Sequence, residues 1–359
     1  MKVCVIGGGN IGTLLSAEFA HKGYETVIYT SKPEKWSDTL TVLNQDDSVW
    51  FETDNFTVTD SLETAVTGAE QIWLVQPSFM FPKTAEKLLP LVKAGQMIMC
   101  VPGAGGAEFS FAPHIEKGCV LCGLQRVHSI ARLSQYGKAV YMLGRKPNLQ
   151  LAAIPSDKTQ HYADIVSAML DLPCEALPNY LVVTLTPSNP ILHTTRIYSM
   201  FKDYKKGDSF DHNILFYEEW TDEASKIMID CDAELQEICR RIDRLDLRMV
   251  KSLKVHYESD TVEKMTAKIS GIAAFKGLTS PMKETEPGVW VPDFSSRYFT
   301  ADFPFGLKVI LDTGRLVGAE VPNIEKIWNW YLEMCNEDNN AIFSLPVSDM
   351  SEFYKIYLG

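Results

Sequence analysis

An α/β chain in two parts, a mostly parallel sheet flanked by helices and then an all-α half, is what the residue pattern predicts. Up to about residue 180, short β-rich runs (KVCVIG, ETVIYT, QIWLVQP, QMIMCVPG, CVLCGLQ and AVYMLGRK) alternate with amphipathic helical stretches. That alternation belongs to strands joined by helical crossovers. After Pro187 the period changes, and Ile191 to Phe201, Glu218 to Leu247 and Asn323 to Met334 carry apolar residues at helical spacing. These observations divide the chain into a first domain over 1–183 and a second, helical domain over 184–359.

The length of 359 residues suits two domains of ordinary size. With 46 acidic against 34 basic residues the formal charge is -12, which repels a nucleic-acid backbone, and no basic patch offsets it. No apolar run reaches the roughly 20 residues of a membrane-spanning helix. The first apolar segment, VCVIGGG, is too short and too rich in glycine for a signal peptide. A cytoplasmic protein is therefore expected, with partners neither nucleic acid nor membrane. The eight cysteines are scattered among apolar neighbours, as reduced core thiols are. Cys119 and Cys122 form a C-x-x-C without a second pair or histidines at ligand spacing, so no metal site is expected.

The chain opens with KVCVIGGGNIGTLLSAEFAHKG, in which Gly7, Gly9 and Gly12 fit G-x-G-x-x-G between a strand and a helix. The first glycine permits the tight turn, the second lets the backbone approach a pyrophosphate, and the third lets helix and strand pack closely. Free N–H groups at that helix start, around Asn10 and Ile11, would hold the anion. The first domain is thus expected to be a Rossmann dinucleotide-binding domain. Where the second strand ends, a carboxylate would accept from the 2′-hydroxyl of NAD. This sequence has Thr30 and Ser31, then Lys32 and Lys35. Hydroxyls and cations suit a 2′-phosphate, so NADP is preferred and NAD is the second choice. Gln76 and Pro77, and then Pro102 to Gly106, follow later strands, where they should border the ribose and nicotinamide.

Three further stretches, NPILHTT around His193, FKGLTSP at Phe275 to Pro281 and SRYFTADFPFGL at Ser296 to Leu307, together resemble the opine dehydrogenases, the octopine and carboxyethyl-norvaline dehydrogenase family. PGAGGAEF, Pro102 to Phe109, is similar to the family's loop after the fifth strand. The resemblance implies reductive condensation: an amino acid's amine and the carbonyl of a 2-oxo acid give an imine, which a nicotinamide cofactor reduces to a secondary amine. It further implies that His193 is the catalytic histidine, Asp302 its paired aspartate, Arg297 the binder of a substrate carboxylate and Gln125 a polar substrate contact from the first domain. After Gln125 the sequence Arg126-Val127-His128 departs from the Thr-Leu-Pro-Trp type common in that family.

Asn189 is a good N-cap and Pro190 suits the first helical position, which would set His193 about one turn into a helix. The positive end of the helix dipole disfavours imidazolium there, and a paired Asp302 carboxylate favours it and fixes the tautomer. Arg297 offers a planar fork of donors matched to a carboxylate. Arg196, three residues beyond His193, shares its helix face and either assists with a carboxylate or serves the interdomain surface. His128 is a pocket candidate only by following Gln125. Trp328 and Trp330 are expected in the helical core. Two other readings stand beside this one. A ketopantoate reductase-like enzyme would need a catalytic lysine, for which no matching motif is found, and a non-catalytic NADP sensor would have lost the His193–Asp302 pair. A homodimer stays open, because the helical half could cover an apolar face with a second copy.

Overall fold

The computed structural model describes residues 1–335 and 342–358. Two compact units divide the chain, Met1–Thr184 together with Ser351–Gly359, and Leu185–Met350. The last helix, Met350–Leu358, therefore counts almost wholly with the first unit, whereas the sequence reading put all of 184–359 in one domain. The reason is an anchor that amphipathic spacing does not reveal. Phe353, Tyr354 and Tyr357 are buried, and the Tyr357 hydroxyl donates to the Glu108 carboxylate at 2.8 Å.

In the first unit the strands are β1 (Lys2–Ile6), β2 (Glu25–Tyr29), β3 (Leu40–Leu43), β4 (Val49–Thr53), β5 (Phe56–Thr59), β6 (Gln71–Leu74), β7 (Met97–Cys100), β8 (Val120–Leu124), β9 (Ser129–Gln135), β10 (Ala139–Arg145), β11 (Leu149–Ile154) and β12 (Cys174–Ala176). The main sheet has the order β12-β11-β8-β7-β6-β1-β2-β5. Every neighbouring pair in it is parallel except β11 with β8. Strands β6, β7 and β8 are buried along their whole length, which is why they read as unbroken apolar runs. From β1 the chain builds outward to β2 and β5, then crosses back to β6. Strand order thus reverses beside β1, the position where open α/β sheets bind ligands.

One expected strand went elsewhere. AVYMLGRK is β10, and it belongs to a second sheet of order β4-β3-β10-β9. The first helix, Asn10–His21, lies in contact with both sheets, so nearly its whole circumference from Gly12 to Ala20 is buried. Phe19 and Leu15 join the core of the main sheet, and Leu14 and Ala17 pack with Leu40, Val42, Ala131 and Val140 of the second. A β-rich run specifies a strand, but the neighbour it pairs with is set by tertiary packing.

Among its described residues the second unit is helical, apart from a hairpin of β13 (Met282–Glu286) and β14 (Val289–Pro292) that turns through Gly288 at φ +76°. Its long helix spans Asp222–Arg241, shorter than the apolar pattern. The Thr221 side chain accepts from the Ala224 N–H and fixes its start. Trp328 and Trp330 of the helix Pro322–Met334 are both buried. Tyr298–Leu307 is a π-helix that contains Pro304. Proline lacks an N–H, and in an α-helix its ring presses on the carbonyl four residues earlier; a widened turn accommodates it.

Candidate active site

The glycine loop behaves as its spacing requires. Gly7 has φ +121°, and a Cβ there would lie 2.3 Å from the Val75 carbonyl oxygen. At Gly12 a Cβ would meet the Gly7 carbonyl oxygen at 1.9 Å, whereas at Gly9 it would meet nothing within 4 Å. Two glycines therefore pack backbone on backbone, and the middle one faces space that a ligand can approach. No side chain caps the helix that begins at Asn10, which leaves its first N–H groups for an anion. The Asn10 side chain is otherwise engaged, since its Oδ1 accepts from the Leu133 N–H at 2.9 Å. Ile11 packs into both apolar clusters. These two residues thus offer backbone groups to a cofactor. Gly12→Ala is expected to cost about 1–3 kcal/mol of stability by overpacking and to weaken nicotinamide-nucleotide binding, checked by urea unfolding and by nucleotide fluorescence titration.

At the end of β2, Thr30 is buried and its hydroxyl lies 2.9 Å from that of Tyr136. Ser31, Lys32 and Lys35 are exposed. Gln76 donates to the Thr84 hydroxyl at 2.5 Å, and Pro77 follows it at the carboxyl end of β6. Gln125 is buried just past the end of β8, its N–H bonded to the Gln150 carbonyl at 2.8 Å. His128 is no pocket residue. It is fully buried, with Nε2 3.0 Å from one Glu18 oxygen, and the other Glu18 oxygen accepts from Arg145. Burial opposes the Glu18 charge, but His128 and Arg145 outweigh it and hold the carboxyl below its ordinary range. All eight cysteines are free, and burial raises the Cys119 and Cys122 thiols. Among the described residues no three potential metal ligands converge.

In the second unit, His193 is the second residue of the helix Leu192–Phe201. The helix starts later than Asn189 and Pro190 suggest, and no side chain caps it. Asn189 contributes its carbonyl instead, which accepts from the His193 N–H at 3.2 Å. The ring faces Asp302, midway along the π-helix, with Nδ1 2.8 Å from Oδ2. A carboxylate only accepts, so the Nδ1 proton is donated to it, and in the neutral ring Nε2 is left as an acceptor. That nitrogen is 3.3 Å from the hydroxyl of Tyr217. All three residues are buried.

Tyr217 was not anticipated, and its segment explains why. Residues 214–220 form no regular element and are held from outside. Phe216 donates to the Leu278 carbonyl at 2.8 Å, within the FKGLTSP stretch, and Gly277 donates to Glu218 at 2.6 Å. From the other side Arg196, 2% exposed, donates through Nε to the Phe216 carbonyl at 2.9 Å and through Nη2 to that of Glu219 at 2.8 Å. Arg196 therefore braces the loop that presents Tyr217, which replaces both roles expected for it. Burial pulls its pKa down to about 10. The Tyr217 ring stacks on Phe275 at 4.1 Å, and Tyr298 meets the His193 ring edge-on at 4.9 Å. Arg297 is exposed, its guanidinium 5.7 Å from the centre of the Tyr298 ring. A cation on an aromatic wall beside a buried imidazole can hold a carboxylate while the imidazole handles a proton.

Residues 176–335 match the family described as NAD/NADP octopine/nopaline dehydrogenase, alpha-helical domain. The helical half of the chain thus carries an octopine/nopaline dehydrogenase domain. Residues 2–114 match the family described as NAD-dependent glycerol-3-phosphate dehydrogenase N-terminus. Together the two matches make the chain an NAD(P)-dependent oxidoreductase. Tauropine dehydrogenase of Arabella iricolor is 26% identical, over 93% of this chain and 91% of its own. Opine dehydrogenase of Haliotis discus hannai is 27% identical, over 91% and 88%. Among solved structures, octopine dehydrogenase with NADH and L-arginine aligns at TM-score 0.81 and 24% identity, over 93% of this chain and 89% of the other. The observed architecture, a Rossmann-like domain followed by a helical one, is the fold of that structure.

Proposed function

We propose that this oxidoreductase condenses the amine of an amino acid with a pyruvate-like 2-oxo acid and reduces the product to a secondary amine dicarboxylate. The observation that carries the reading is the buried His193–Asp302 pair, whose far nitrogen, among the described residues, meets the Tyr217 hydroxyl and no acid. That ring is oriented by a carboxylate and left able to take or give a proton at one atom, Nε2.

Arg297 anchors the carboxylate of the oxo acid and Gln125 makes a polar contact with substrate. As the amine adds to the keto carbon, protonated His193 gives its Nε2 proton to the keto oxygen, which becomes a hydroxyl, and the surplus proton on nitrogen then passes to the vacated Nε2. The ring returns that proton to the hydroxyl, which leaves as water, and the carbon–nitrogen double bond forms. The N–H groups of the Gly7–Gly12 loop would hold a nicotinamide cofactor, which would supply the hydride chemistry. Asp302 stabilises the charged ring through the interval. The test is oxidation of NADPH and NADH with pyruvate and a panel of amino acids. Turnover with at least one pair is expected, and cofactor binding without turnover for any pair overturns the reading in favour of a nucleotide sensor.

NADP is the proposed cofactor, on the ground that Lys32 and Lys35 are exposed beside Ser31 after β2 and no carboxylate occupies the strand end. Replacing both lysines by alanine is expected to raise the KM for NADPH on the order of tenfold, the loss of one charged hydrogen bond, and to leave that for NADH within about twofold. Equal effects on both cofactors would contradict the assignment.

A further inference from the structure

The hydroxyl of Tyr217 and Nε2 of His193 are 3.3 Å apart. That is long for a hydrogen bond between a phenol and a ring nitrogen, and short enough for one oxygen to sit within about 2.9 Å of both. From the pair's geometry we infer that Tyr217 is a second catalytic donor, which binds the keto oxygen of the 2-oxo acid together with protonated His193. The inference rests on the condensation proposed above.

Three features support it. Tyr217 is held on every side: Phe275 stacks on one face at 4.1 Å, Trp220 runs parallel at 6.4 Å, and Arg196 fixes the backbone on both flanks through the carbonyls of Phe216 and Glu219. A donor fixed before the substrate arrives needs no reorganisation as charge develops on the oxygen. Burial raises the phenol well above its ordinary value, with Arg297 among the groups pulling the other way, so Tyr217 keeps its proton. Arg297 therefore lies within electrostatic reach of Tyr217, and its guanidinium rests over Tyr298, which touches His193. A small oxo acid with its carboxylate on Arg297 then has its keto oxygen facing the two donors.

The step balances. As the amine nitrogen bonds to the keto carbon, the C=O π pair moves onto oxygen, where it is met by the Tyr217 O–H and takes the proton from Nε2 of the imidazolium. Tyr217 keeps its own proton throughout.

The test is Tyr217→Phe, which retains the ring and both stacks. Expected are a fall in kcat of about 30-fold to 1000-fold, nucleotide affinity unchanged, and a melting temperature within about two degrees of wild type. A merely structural role would lower stability or raise the KM values with kcat intact, and that result overturns the inference. So does a kcat within twofold of wild type. If wild type itself turns over no pair, the proposed function fails and takes this inference with it; if wild type is active and Tyr217→Phe matches it, the inference alone fails.

Discussion

His193→Ala is expected to lower turnover on the order of 10³-fold while nucleotide binding survives, because the ring that offers Nε2 for proton transfer is gone. A loss of activity could arise from damage to the fold, since the variant leaves the Asp302 carboxylate buried without its partner. A second change separates the two causes. In His193→Ala/Asp302→Asn no unpaired charge is buried, so stability should recover in urea while activity does not. If activity returns with stability, the histidine is a packing residue. If His193→Ala alone retains turnover within a few fold, the mechanism fails and the fold assignment stands.

The second large effect concerns stability against pH and centres on Glu108. This carboxyl is fully buried in the first unit, accepts from Thr184 at 2.6 Å and from Tyr357 at 2.8 Å, and its Oε2 has no partner among the described residues. Burial raises its pKa from 4.5 to about 7, against the opposing pull of both hydroxyls. With the folded value above the unfolded one, the folded state binds more protons between the two. The contribution is full below pH 4.5 and is lost as pH rises through about 7. Its size is on the order of 3 kcal/mol. Wild type should therefore lose stability between pH 5 and pH 8, and Glu108→Gln, which cannot ionise, should lose less over the same range. Urea midpoints for both proteins at the two pH values decide it: parallel profiles would mean that Glu108 titrates normally.

The parts of the fold that were legible in the sequence are those where one local rule decides. Gly7 and Gly12 are dictated by close backbone approach, and the runs at β6, β7 and β8 by burial on both faces. What was not legible depends on distant partners. Nothing local in AVYMLGRK says that it joins β3 and β9, and nothing in MSEFYKIYL names Glu108 as its anchor. The site divides in the same way. His193 and Asp302 were picked out through motifs that carry a family resemblance. Tyr217 lies in ILFYEEW, an irregular loop shaped by Arg196 and by the backbone at 277–278, so neither period nor motif marks it. The aromatic density of that stretch was the one available signal. The start of the histidine helix was misplaced because Asn189 and Pro190 are good capping residues by type, yet the structure uses the Asn189 carbonyl and no side-chain cap.

The return of the last helix to the first unit has a consequence for biosynthesis. The Tyr357–Glu108 contact spans 249 residues of chain, and the whole of Leu185–Met350 is made in between. A growing chain can pair β1 through β12 long before Tyr357 leaves the ribosome, but until then the Glu108 carboxyl lacks one of its two donors and the surface under Phe353 and Tyr357 is uncovered. Ribosome-bound chains stopped near residue 345 should hold a first unit that proteases cut more readily than they do once residues 351–358 have emerged.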